Sequence, residues 1–330
     1  MIQPLELKMD FPVELSNGIV SSTPKVWEVL FASYKGNLEK VKLLVDGCSE
    51  LAYAQYNYTP PIHFAVREGH THLVKYLLDL GAHDPSYRIY PFLETLQTLS
   101  KDRQFDEITD LLEAYQNDQS RCKFEGDNGA IQYPRTEAQT RLQKALNNGH
   151  IEESKEILNL HPEFTKDHLF FWGEGIMTMP AQHRNYELLE LLMGFGATVP
   201  PVLKWAQEYY FKYYEAAAFL MEHGMNPNVM SWHHVTLLHD MAQKGNLQKA
   251  ELLVKYDAQI DPIEEEYQST PLGMAVRWGH EEMVKYLLSQ GADPNKSGAG
   301  WSTPLAWARK KDHPMIAEIL IKAGATDPVG

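Results

Sequence analysis

The sequence predicts an all-α solenoid of stacked helix-turn-helix units with short hairpin loops, and three observations carry that prediction. A stretch near the C-terminus recurs at a fixed period, a Thr-Pro step opens several copies, and a Gly-Ala step closes them. The period, about 33 residues, decides the architecture before any single motif, because each copy is one supersecondary unit too thin to bury its own apolar face.

The copies align without gaps. STPLGMAVRWGHEEMVKYLLSQGADPN, from Ser269 to Asn295, returns as STPLAWARKKDHPMIAEILIKAGATDP from Ser302 and is preceded by VTLLHDMAQKGNLQKAELLVKYDAQID from Val235. Thr236, Thr270 and Thr303 hold the same place in these three copies. Near the N-terminus the pattern reads TPPIHFAVREGHTHLVKYLLDLGAHDP, from Thr59 to Pro85, and Gly36 and Gly69 again stand one period apart.

Each element has a physical cause. Pro61, Pro271 and Pro304 sit in the first turn of a helix, where a missing amide hydrogen costs nothing, and Thr270 or Thr303 can cap that helix start. Small residues at Ala65, Ala275 and Ala308, with Ala242 one position later in its unit, let neighbouring helices approach closely. Leu77/Leu78, Leu253/Val254, Leu287/Leu288 and Leu320/Ile321 supply the apolar stripe. Gly81, Gly291 and Gly324 follow the last helical turn, where a left-handed backbone is wanted. With a Thr-Pro turn, a helix-closing Gly-His pair and a terminal Gly-Ala step recurring together, these units resemble ankyrin repeats.

The middle of the chain keeps the phase and loses the motif. Leu111/Leu112 fall one period after Leu77/Leu78, so Pro91 to Glu113 is read as a degenerate unit. The polar, glycine-containing stretch 117–137 delays the next leucine pair and is read as an inserted loop. Leu142 to Leu158 resumes the pattern with Gly149/His150, Gly175 to Ala197 follows, and Pro200 to Asn228 is a compressed unit. The count is about nine units. The expected organisation is an N-terminal extension over 1–22, repeats over 23–116, the loop over 117–137, divergent repeats over 138–228 and C-terminal repeats over 229–330.

With 44 acidic against 30 basic side chains the formal charge is −14, which repels nucleic acid and anionic membranes and favours a neutral or basic protein partner. Two cysteines, Cys48 and Cys122, are too few for a disulfide framework and lack zinc-site spacing. The opening segment lacks an apolar run of signal-peptide length, and no segment offers the roughly 18 apolar residues of a membrane span, so a cytoplasmic monomer is expected.

The resemblance implies that a partner lies across the hairpin tips and the exposed side of each first helix. By register those positions include Tyr56, Tyr58, Trp232, His233, Tyr267 and Trp301 at the tips, and Arg67, Arg277 and Trp278 at the helix ends. Aromatic residues and arginine are enriched at binding hot spots, although rings at these positions equally suit packing between neighbouring hairpins. A second aromatic concentration runs from Phe170 to Tyr214 and includes Trp172, Trp205, Tyr210 and Phe211. It either fills the core or lines a groove for a small ligand.

No phosphate loop, nucleophile elbow or HExxH helix is present, so neither an enzyme nor a cofactor is expected. His63 and His239 hold the turn-motif position, and His70, His150, His280 and His313 the helix-closing one, where a ring can bond backbone between units. His233/His234 with His239 and Asp240 is a poor metal site because adjacent residues on an extended tip point apart. The run Glu264 to Glu266 reads as solvated. The expected function is that of a protein-protein interaction scaffold or inhibitor. The competing reading is a small-ligand or enzymatic role in the aromatic middle.

Overall fold

Helix starts and stops fall where the capping residues dictate. Thr236, Thr270 and Thr303 each accept a backbone N–H three residues on, at 3.4, 3.3 and 3.2 Å. Asn37, Asn185 and Asn246 do the same for the second helix of their units. The computed structural model describes residues 1–15, 18–118, 122–123 and 129–327. It divides into two units, Gln3–Tyr133 and Pro134–Gly330, the latter with Met1–Ile2.

In the first unit, α1 (Leu5–Lys8), β1 (Pro12–Glu14) and β2 (Val20–Ser22) precede three helix pairs: α2 (Thr23–Tyr34) with α3 (Leu38–Gly47), α4 (Pro61–Arg67) with α5 (Thr71–Asp79), and α6 (Leu96–Asp102) with α7 (Asp106–Asn117). First helices stack on first helices, α2 on α4 on α6, and α5 stacks on α7. A short antiparallel sheet of order β2-β1-β3 joins Val13 to Ser21 and, through β3 (Ala130–Ile131), to Ile131. The sheet gives the leading segment a packed place, with Leu7 and Val13 buried. Of the polar stretch 117–137, residues 119–121 and 124–128 lie outside the described residues.

The second unit carries six pairs: α8 (Glu137–Asn148) with α9 (Ile151–Leu160); then, after the single turn α10 (Phe170–Gly173), α11 (Thr178–Gln182) with α12 (Tyr186–Gly194); α13 (Ala206–Tyr209) with α14 (Tyr214–Glu222); α15 (Leu237–Lys244) with α16 (Leu247–Lys255); α17 (Pro271–Arg277) with α18 (Glu281–Ser289); and α19 (Pro304–Lys310) with α20 (Pro314–Lys322). The first helices α8, α11, α13, α15, α17 and α19 each pack on the next, and α14, α16, α18 and α20 do likewise behind them. Among the described residues this makes nine helix pairs, including those the sequence places by phase alone.

One contact recurs at the junctions. Gly245 closes α15 with φ 63°, and a Cβ there would fall 2.6 Å from Nδ1 of His280, whose Nε2 donates to the Gln243 carbonyl at 2.7 Å. Gly36 (φ 67°) meets His70 in the same way, and that ring donates to the Tyr34 carbonyl at 3.0 Å. The missing side chain is thus the seat for a ring from the following repeat. Gly245→Ala is expected to lower the thermal midpoint by more than Gly224→Ala, whose φ is also positive but whose Cβ would meet nothing within 4 Å. The latter change costs only the backbone term of about 1 kcal/mol. Melting both variants by circular dichroism checks this, and equal losses would contradict it.

Candidate partner-binding surface

The hairpin tips are built from inside. At the tip before α17, the Glu264 carboxylate accepts N–H bonds from Glu266 at 2.6 Å, Tyr267 at 2.9 Å and Ser269 at 3.0 Å, so one side chain organises the whole turn. Glu264 and Glu266 are both fully buried, which corrects the reading of this acidic run as solvated: the turn's own amides need an acceptor, and His233 pairs with Glu266 at 2.6 Å. Burial pushes the Glu264 carboxyl up to about 8, with the amide donors pulling the other way. His234 takes a different carboxylate, Glu265, at 2.8 Å.

The expectation that tips and helix ends stand exposed fails at Tyr56, Arg67, Trp232, His233, Tyr267 and Arg277, which are all buried. The reason is local. The Arg277 guanidinium lies 4.1 Å from the Tyr267 ring centroid, 4.2 Å from Trp278 and 5.1 Å from Trp307. Trp301 meets Trp307 edge-on at 5.7 Å, and Trp307 Nε1 donates to Ser269 Oγ at 2.8 Å. The last two repeats and their tips therefore share one cation-aromatic cluster, in which each tip ring covers the neighbouring helix end. Arg67 repeats the theme over Phe64 at 5.1 Å and Tyr34 at 5.6 Å, and the Trp232 ring lies 4.3 Å from that of His233.

Three of the expected positions keep exposed area. Tyr58 is 53% exposed, at φ 60° on its tip, while Trp278 and Trp301 are half-buried at the rim of the cluster. The structure brings Tyr267, Arg277, Trp278 and Trp301 together, and Trp232 with His233; Tyr56, Tyr58 and Arg67 belong to the other unit. Sequence reasoning missed Trp307, which sits mid-helix where sibling repeats carry Phe64 and Met274, and only that alignment could have found it.

In the divergent middle, Phe170, Phe171, Tyr210 and Phe211 are buried, whereas Trp172 is 57% exposed. Phe171 and Trp172 are both left-handed, at φ 50° and 58°. Such residues are strained by roughly 1–2 kcal/mol each. The turn is held by the buried Glu174 carboxylate, which accepts N–H bonds from Lys204 at 2.9 Å and Trp205 at 3.1 Å, and by Lys204 Nζ on the Trp172 carbonyl at 2.6 Å. Tyr210 donates its hydroxyl to the Glu174 carbonyl.

Family models for ankyrin repeats match the chain at residues 58–88 and, as the three-copy form, at 181–298 and 238–329. The chain is 25% identical to the human transient receptor potential cation channel subfamily A member 1, over 89% of its own length and 27% of that protein. It is 35% identical to the Drosophila melanogaster ARF GTPase-activating protein Git over 26% of the chain and 12% of that protein. With the mouse palmitoyltransferase ZDHHC13 it shares 35% identity over 27% of the chain and 15% of that protein. The chain thus spans about a quarter or less of these relatives. Among the described residues no helix is long and apolar enough to cross a membrane.

The buried turn-motif histidine His239 makes this unit sensitive to acid. His239 Nδ1 accepts from Thr236 N at 3.1 Å and Nε2 donates to the Ser269 carbonyl at 3.1 Å, which makes it neutral. Burial holds its pKa down to about 4 from the ordinary 6.5. A depressed histidine pKa means that below 6.5 the unfolded chain takes a proton the folded one refuses, so stability falls as the pH drops from about 6.5 toward 4. The loss at the lower end is about 3 kcal/mol. Denaturation at several pH values should show a flatter acid limb for His239→Gln than for the native chain; parallel limbs would contradict this assignment.

Proposed function

Because the chain belongs to the ankyrin-repeat family, we propose that it is a non-enzymatic array that holds a partner protein against its hairpin tips and first-helix ends. The observation that carries this reading is the rim of the cation-aromatic cluster. After stacking is complete, Trp278 and Trp301 still offer indole surface, and both are fixed from behind by Arg277 and Trp307. Rings held rigid before a partner arrives lose little entropy on binding, and tryptophan is among the residues most enriched at hot spots.

No nucleophile elbow, phosphate loop or metal-protease helix is written in the sequence, in keeping with a binding role. What the names of its relatives state belongs to those longer proteins. Affinity purification from the native cell, comparing the native chain with Trp278→Ala/Trp301→Ala, tests the reading. The variant is expected to bind the captured partner at least about tenfold more weakly, or roughly 1.4 kcal/mol, while retaining its far-ultraviolet circular dichroism. Identical capture by a folded variant would contradict it.

A further inference from the structure

In a chain of charge −14, one edge of the second unit is basic. The first helices α11, α13, α15 and α19 end in, or are closely followed by, Arg184, Lys212, Lys244 and Lys310/Lys311, and α16 adds Lys249 beside them. Arg184, Lys212, Lys244 and Lys310 are exposed. Contacts between successive repeats tie these ends into a row. The Arg184 guanidinium lies 4.6 Å from the Tyr213 ring centroid, Lys212 Nζ 5.6 Å from the same ring, and Lys249 Nζ reaches back to the Lys212 carbonyl at 2.9 Å. Further along, His280 bonds the Gln243 carbonyl, and Lys310 and Lys311 lie 5.5 and 5.8 Å from the Trp307 ring centroid.

Carboxylates stand beside the row. Asp240 is buried beneath Lys244 at 3.0 Å, and Glu208 and Glu215 act on Lys249 from α13 and α14. Burial, with the Lys244 charge next, holds the Lys249 ammonium below its ordinary range despite these carboxylates. Cations parked over rings are partly ordered beforehand, which lowers the cost of engaging them.

We propose that this row docks an extended acidic segment of a partner protein, with Glu or Asp side chains spaced in multiples of three residues to face the exposed cations of α11, α13, α15 and α19; the position facing α17, whose Arg277 is buried, is left without a cation. The spacing follows from geometry. Packed helices stand roughly 8–10 Å apart. An extended chain advances about 3.3 Å per residue, so three residues span one repeat. The inference rests on the partner-binding reading and gives that partner a chemistry. It also departs from the net charge, which sets the average field, whereas the local row sets what can touch it.

The test is fluorescence anisotropy at low salt with the full chain and three labelled probes: a peptide of Glu-Gly-Ser repeats, a peptide of the same composition with its glutamates in adjacent pairs, and a single-stranded oligothymidylate. The first peptide is expected to bind at least about tenfold more tightly than the second. Its affinity should fall as salt is added. Lys212→Glu/Lys310→Glu/Lys311→Glu should weaken it at least about tenfold without moving the melting midpoint. The charge-matched Lys75→Glu/Lys155→Glu/Lys296→Glu should behave as the native chain. No binding by either peptide, equal affinity for both spacings, tighter binding of the oligonucleotide, or equal loss in the charge-matched variant would each overturn the proposal. A captured partner that depends on Trp278 and Trp301 but ignores the lysine reversals would overturn it while leaving the partner-binding reading intact.

Discussion

Everything in this architecture depends on how each first helix ends. At every first-helix end but that of α13 the backbone enters the left-handed region for one residue, so that the second helix can fold back and present its apolar stripe to the next pair. At Gly245 and Gly36 the space of the absent side chain receives a histidine ring from the following repeat, His280 and His70 respectively, and that ring bonds a carbonyl at the same helix end. One residue therefore satisfies a local dihedral and an inter-repeat contact together. Neither half can change alone.

The same constraint explains what the sequence discloses. In several units the glycine is gone but the conformation is kept: Gln104, Arg184 and Asp312 are left-handed at φ 62°, 56° and 56°. The phase of the leucines survives because stacking requires it, whereas the motif can be lost at a cost of about 1 kcal/mol per left-handed side chain. Hence the helix pairs between Pro91 and Asn228 are legible from periodicity. Hidden from it are the pairing of Pro12–Glu14 with Ala130–Ile131, which lie far apart in the chain, and the strained Phe171-Trp172 turn.

The candidate surface was less legible than the fold, again for a physical reason. Register tells which residues reach a tip, but exposure there is decided by what the adjoining tip carries. Tyr267 is buried because Arg277 and Trp307 lie against it, and Trp278 is spared because it sits one position further round the same helix end. The alternative that rings pack between hairpins thus describes Tyr267, and within this cluster the rim keeps exposed area.

Buried polar groups follow a similar division. Sibling repeats place Phe64, Met274 and Trp307 in one slot of the first helix, while α15 places Asp240 there, almost wholly buried, with a pKa raised by burial and restrained by Lys244. A carboxylate in an apolar slot weakens the stack unless a cation stands over it, so Asp240 fixes Lys244 at the helix end as much as Lys244 relieves Asp240. The first turns of these helices are committed to packing, whereas Lys244, Trp278 and Lys310, at or just after the helix ends, keep exposed area. On the proposed reading, stability and recognition then reside on different residues of one short helix. That separation lets the chemistry of the outer row vary from repeat to repeat while the stack beneath it stays the same.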